Sequence, residues 1–167
     1  MDYLKAVIID YKEKGIIIDT NLLVLYIVGF YDAEYIEKFQ RVKNKGYTKE
    51  DFEALLKLVS PFNKIFITPQ ILAEVSNLTF NDIKDNRFLE YFNEVLRIIG
   101  DIEEHHISKN MLLKMPMLSK FGFTDSSIME LAQKEDLPVI TDDFPLYSLL
   151  INSGISAINM THIRIYN

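Results

Sequence analysis

Five carboxylates stand where apolar runs stop or turn. Asp19 closes Gly15-Ile16-Ile17-Ile18 and opens Thr20-Asn21-Leu22-Leu23. Asp142 and Asp143 close Leu137-Pro138-Val139-Ile140-Thr141. Glu74 sits inside Gln70-Ile71-Leu72-Ala73-Glu74-Val75, and Asp125 follows Gly122-Phe123-Thr124. Carboxylates brought to one place cannot all stay ionised without a counter-charge. A hard divalent cation with oxygen ligands, Mg²⁺ or Mn²⁺, is the natural one. Each acid also has a plainer reading. Asp125 and Asp143 fall at expected helix starts, where Asp is favoured as a cap and by the helix dipole. Asp142 reads as a solvated neighbour of Asp143 rather than as a second ligand. Glu74 fits a polar helix face. Asp19 resists such an account, because an acid in so apolar a window is costly to bury without a partner.

Other chemistries are poorly served. The chain has no cysteine, which removes disulfides, thiolate zinc sites and thiol nucleophiles. His105 and His106 are adjacent, so their side chains point apart on a helix or a strand, and His162 is isolated. All three read as structural or surface residues. No G-x-G-x-x-G and no Walker A sequence follows any apolar run.

The acids must be positioned by the elements around them. Amphipathic spacing predicts a helix over Tyr3 to Lys14, ended by Gly15. Short β-branched runs predict strands at Gly15–Ile18, Lys64–Ile67, Leu137–Thr141 and Ile155–Asn159, with a weaker one at Ile102–Ile107. Between them the pattern predicts helices at Thr20–Phe30, Asp32–Lys43, Thr48–Val59, Asp85–Ile99 and Ser108–Met115. A further helix over Thr124–Glu135 would be capped by Thr124, and another runs over Asp143–Asn152. Thr48 and Asp51 have capping-box spacing, and Thr68-Pro69 is a helix start for the segment that carries Glu74. Strands that alternate with helices imply right-handed βαβ units, hence an α/β fold whose parallel sheet has helices on both faces. In such sheets, sites form beyond the carboxyl ends of the strands. Asp19, Asp142 and Asp143 sit at those ends, and Glu74 and Asp125 lie at or within a turn of helix starts that lead from or toward strands.

Composition bounds the answer. With 167 residues, the chain suits a single domain spanning 1–167. Hydrophobic residues at 49% and charged residues at 25% exclude a disordered or coiled-coil chain. A net charge of −6 means that any polyanion must be met by a local patch. The most apolar window, Gly15 to Tyr31, is short for a membrane span and contains Asp19 and Asn21. No targeting or membrane segment is expected, and the absence of cysteine suits a cytoplasmic location.

Together these segments resemble the PIN domain, a family of metal-dependent nucleases. The resemblance covers most of the chain. It rests on Ile18-Asp19-Thr20-Asn21, on the helix Pro69 to Leu78 with Glu74 inside it, on Gly122-Phe123-Thr124-Asp125 leading to Leu131-Ala132, and on Leu137 to Asp143. It implies a three-layer α/β/α sandwich around a central, mainly parallel sheet. It implies an endoribonuclease that hydrolyses RNA phosphodiesters with Mg²⁺ or Mn²⁺. Asp19, Glu74, Asp125 and Asp143 would be the acidic quartet, both metal-binding and catalytic, with Thr20, Asn21, Ser126 and Thr141 in support. Such a metal would lower the pKa of a bound water and stabilise charge on the phosphoryl oxygens. A toxin of a toxin–antitoxin pair is one form such a protein takes, with an antitoxin protein as partner. The Tyr- and Phe-rich first helices could form an antitoxin groove or a homodimer face.

The stretch from Asp19 to Glu74 is longer than in the compact toxins of that family and holds a helical insertion at about 32–61. The insertion is locally basic through Lys38, Arg41, Lys43, Lys45 and Lys49, with Tyr47 among them. Contact with phosphates and stacking on a base is one reading of this patch, and a solvated helix end and loop is the preferred one. Two rivals to the nuclease reading differ in kind. A haloacid-dehalogenase-like phosphatase also carries Asp after its first strand, but its second acid is replaced here by Asn21. A catalytically weak PIN-like module that binds RNA or protein needs no turnover at all.

Overall fold

The computed structural model describes residues 2–79 and 87–164. Helix α1 (Asp2–Tyr11) ends in a turn that reaches Gly15 and is followed by β1 (Ile16–Ile18). Gly15 has φ 121°, and a Cβ there would meet the Phe66 ring at 2.6 Å and the Lys64 carbonyl oxygen at 2.8 Å. Only glycine lets the chain enter the sheet this tightly. Then come α2 (Thr20–Tyr31), a single 3₁₀ turn (Ala33–Tyr35), α3 (Gln40–Asn44) and α4 (Lys49–Val59). The second strand, β2 (Ile65–Ile67), leads into α5 (Pro69–Thr79), and α6 (Arg87–Gly100) precedes β3 (Glu103–Glu104). Helices α7 (Lys109–Leu112) and α8 (Leu118–Glu135) feed β4 (Val139–Thr141). The described chain closes with α9 (Phe144–Asn152), β5 (Ala157–Asn159) and α10 (Met160–Arg164).

The five strands form one sheet in the order β3-β2-β1-β4-β5, and every pairing is parallel. With its covering helices the architecture is a three-layer α/β/α sandwich. Central β1 pairs Ile16 with Ile65 on one side and Ile18 with Ile140 on the other. All three of its isoleucines are fully buried, as expected of a parallel strand covered on both faces. The chain builds outward from β1 to β2 and β3, then crosses back to β4 and β5. The strand order therefore reverses between β1 and β4. Connections that leave two adjacent strands in opposite directions open a crevice at their carboxyl ends.

Helix α2 is apolar almost all round, and eight of its twelve residues are buried. A helix of that kind must be covered on its outer face too. It packs against α4, α5 and α6, so the 32–61 segment completes its burial. Gly29 makes this possible. A Cβ at Gly29 would run into the Phe52 ring of α4.

Three local expectations are corrected. Asp32–Lys43 is not one helix, because it breaks into the 3₁₀ turn and short α3. The weak strand at Ile102–Ile107 shrinks to Glu103–Glu104, a short exposed edge of two acids that discourages further pairing. Thr124 is not a cap. As expected, a helical segment starts just after Gly122, whose φ of 75° kinks α8 into two segments, but Thr124 already lies inside its first turn with Asp125. The short α10 was not foreseen. Of the expected helix Asp85–Ile99, residues 85 and 86 lie outside the described residues.

Candidate functional site

Asp19 and Asp143 each cap the helix that leaves their strand. Asp19 Oδ1 accepts the Leu22 amide at 2.9 Å, and Asp143 Oδ1 accepts the Leu146 amide at 2.8 Å. The capping reading of these acids is therefore part of the structure. It uses only one oxygen of each. The other oxygen of Asp19 accepts the Thr141 hydroxyl and the Asp142 amide, the latter at 3.2 Å. The same Thr141 hydroxyl accepts the Asp143 amide at 2.9 Å. Thr141 is fully buried. One hydroxyl thus ties the end of β1 to the end of β4, across the point where the strand order reverses.

Asp142 departs from expectation. It does not behave as a solvated neighbour of Asp143. Its Oδ2 accepts the Tyr47 hydroxyl at 2.6 Å, and its Oδ1 is buried without a hydrogen-bond partner among the described residues. Burial first, and the nearby Asp142 charge second, push the Asp19 carboxyl up to about 7, against the three hydrogen bonds that favour its ionised form.

Glu74 and Asp125 come from the helices on the other side of the crevice. Thr20 at the start of α2 donates to Glu74 Oε2 at 3.3 Å. The first turn of α5 is pinned to α8 by a hydroxyl relay. Ser127 donates to the Thr124 carbonyl at 2.7 Å, so the 2.8 Å contact between Thr68 and Ser127 must have Thr68 as donor. Thr68 in turn accepts the Ile71 amide at 3.3 Å, which caps α5. Asp125 is half-buried and accepts no hydrogen bond among the described residues. Burial, then the charges of Asp143 and Glu74, push its carboxyl up to about 6. The next side chain, Ser126, is buried with its hydroxyl unpaired among the described residues.

The fold therefore places all five acids at one end of the sheet, in two coupled groups. Asp19 feels Asp142, and Asp125 feels Asp143 and Glu74. The histidines lie elsewhere. His105 packs edge-on against Phe66 and faces Glu135, while His162 lies against Tyr147.

The 32–61 segment reaches the site in a way that its basic composition did not reveal. Arg41 donates to Asn21 Oδ1 at 2.8 Å. Tyr47 is buried at 3% exposure, so its ring is not a stacking platform. Lys49 pairs with Glu34 at 2.6 Å on the surface. Of the patch, one arginine and one tyrosine turn inward onto the β1 and β4 ends. A tyrosine among lysines carries no mark in the sequence that it caps an aspartate 95 positions away.

The donor set consists of hard carboxylate and hydroxyl oxygens, which suits Mg²⁺ or Mn²⁺ and not a soft metal. The unpaired carboxylate oxygen of Asp142, the unpaired hydroxyl of Ser126 and an Asp125 carboxyl that feels Asp143 and Glu74 are each oxygen donors of the kind a cation takes. Among the described residues, however, no three Asp, Glu, His or Cys side chains stand together as a ready-made metal shell. A cation would have to draw the two groups of acids inward. Neither protein-family models nor curated proteins give a match to this chain. Among the described residues no helix is long and apolar enough to cross a membrane.

Proposed function

We propose that the chain is a PIN-like, metal-dependent endoribonuclease. The observation that carries this reading is Asp125, half-buried without a hydrogen bond among the described residues, whose carboxyl is pushed up by burial first and then by the charges of Asp143 and Glu74. A carboxylate so placed stays ionised more readily when a cation offsets the neighbouring charges. Asp19, Glu74, Asp125 and Asp143 would hold Mg²⁺ or Mn²⁺, which when bound activates a water and offsets charge on the phosphoryl oxygens.

The protein's own groups do the positioning. The Thr141 hydroxyl orients the Asp19 carboxylate and the Asp143 backbone at once. Thr20 turns Glu74 toward the crevice, and the Thr68–Ser127 relay fixes the helix starts that carry Glu74 and Asp125. Buried Ile18 and Leu22 exclude water from behind Asp19. RNA is the proposed substrate. If the protein acts as a toxin, a protein antitoxin would restrain it, and the complex would co-purify.

The test is a Mn²⁺ titration of wild type and of Asp19→Asn and Asp143→Asn, reading bound metal and cleavage of a mixed RNA pool in the same samples. The expected outcome is binding and cleavage in wild type, with cleavage reduced at least 100-fold in each variant and metal binding weakened (a loss of about 3 kcal/mol or more in transition-state stabilisation). Cleavage at the wild-type rate in both variants would remove these acids from the reaction.

One observation favours a second reading, a module that binds RNA or protein without cleaving it. Both oxygens of Asp19 are occupied by hydrogen bonds within the chain, and the acids are not gathered into a shell. Metal-independent RNA binding with no turnover would select that reading.

A further inference from the structure

One residue beyond Asp143 the surface changes character. Phe144 is 63% exposed, the most exposed phenylalanine among the described residues. Phe123, just past the Gly122 break in α8, is half exposed as well. Burying such rings is worth up to about 2–3 kcal/mol each, so leaving them in water calls for a reason. Phe144 lines a groove of about 380 Å³ between the start of α8 and the outer face of α9. Lys120, Phe121, Pro145, Ser148, Leu149 and Asn152 form the rest of its wall. The Lys120 ammonium lies 5.1 Å from the centre of the Phe121 ring. Phe144 directly follows Asp143, the cap of α9, and Lys120 and Phe121 lie just before the Gly122 kink that precedes Asp125.

We propose that this groove is a nucleobase subsite, which takes a base of single-stranded RNA next to the scissile phosphate. Three features select that occupant over a peptide or a lipid. An exposed ring offers a face for stacking, and base–aromatic stacking is tolerant of sequence. A single lysine beside the rings offers a phosphate contact in an otherwise acidic protein. The volume lies at the small end of ligand pockets, about 300–1,000 Å³, and suits one nucleoside. Ser148 and Asn152 provide hydrogen-bonding groups for a base edge or a ribose hydroxyl. The subsite rests on reading the acids as the phosphodiester site. It adds that the substrate must be unpaired there, since a stacked duplex base cannot reach Phe144.

The test is fluorescence anisotropy with a labelled single-stranded RNA ten-mer of mixed sequence, in EDTA so that nothing is cut. Phe144→Ala should weaken binding about 5- to 50-fold, and Phe144→Tyr should hold it within about twofold. Lys120→Ala should lower the salt slope by about 0.7. A ten-mer with abasic positions should bind wild type and Phe144→Ala alike. As a check that needs no variant, 2-aminopurine in the RNA should lose fluorescence when wild type binds. Equal affinity for Phe144→Ala and wild type, no RNA binding by wild type, or unquenched 2-aminopurine would each overturn the subsite. So would self-association that Phe144→Ala abolishes while RNA affinity stays unchanged, because the groove would then belong to a second copy. The two proposals fail separately. Cleavage that depends on Asp143 but not on Phe144 leaves the nuclease and removes the subsite. Phe144-dependent binding without any cleavage does the reverse.

Discussion

At the scale of single residues, the buried hydroxyl of Thr141 links the two strand ends that carry the acids. It donates to Asp19 and accepts from the Asp143 amide, so valine, its near-isostere, would strip a partner from each. Leaving buried polar groups unpaired costs about 1–3 kcal/mol. Thr141→Val should therefore lower stability by about that amount in urea unfolding, while Thr141→Ser retains most of it. On the proposed function, Thr141→Val should also weaken Mn²⁺ affinity, read by calorimetry. Unchanged stability in Thr141→Val would show that the hydroxyl does not hold the strand ends together.

At the scale of elements, the 32–61 segment acts as the outer wall of α2 and as a strap over the site. Its helix α4 starts with a full capping box, in which the Thr48 hydroxyl and the Asp51 carboxylate each serve the other's backbone amide. Its apolar face closes on α2 at Gly29, where the Phe52 ring leaves no room for a methyl group. Overpacking a filled contact of this kind costs about 1–3 kcal/mol. In an ordinary helix interior Gly→Ala would instead stabilise by about 1 kcal/mol. The sign decides the matter: Gly29→Ala should lower the urea midpoint with the slope unchanged, and a rise would mean that α4 does not pack here. The same wall presents Arg41 to Asn21 and Tyr47 to Asp142, so loosening α4 should be felt at the acids.

At the scale of the molecule, acidity gathered at one end of the sheet makes stability depend on pH. The folded chain holds the Asp19 proton up to about pH 7, whereas an unfolded Asp releases it near about pH 4. Between those values the folded state binds more protons than the unfolded state, so stability falls as pH rises. The slope from this group approaches about 1.4 kcal/mol per pH unit at most. Half-buried Asp125 adds to the same trend up to about pH 6. Urea unfolding between pH 4 and pH 8 should show the decline in wild type, and Asp19→Asn should be flatter across that window. On the proposed function, Mn²⁺ should restore stability at pH 8 and raise the melting temperature there. An equal pH slope in wild type and Asp19→Asn would place the Asp19 proton elsewhere.

Much of this was legible in the chain itself. Three isoleucines before Asp19, and Leu137 to Thr141 before Asp142, read as buried parallel strands because β-branched runs of that length have few other homes. The caps at Thr48, Thr68 and Asp143 were readable because capping depends on neighbours within one turn. Alternation of strand and helix then implied that Asp19 and Asp143 share the carboxyl end of one sheet. Other features belong to the tertiary structure alone. The strand order sets β1 beside β4, and that neighbourhood turns Asp142 toward Asp19 and gives one threonine hydroxyl to both. Tyr47 and Arg41 lie in a segment that composition marks as a basic surface, yet packing against α2 directs them onto Asp142 and Asn21. The kink at Gly122 joins a second helical segment ahead of the one that carries Asp125, and an isolated glycine within a helical pattern does not reveal whether the helix begins or bends there. Local chemistry follows from sequence spacing. Contacts between groups 20 to 123 positions apart arise only when the sheet order is set and the apolar faces have closed.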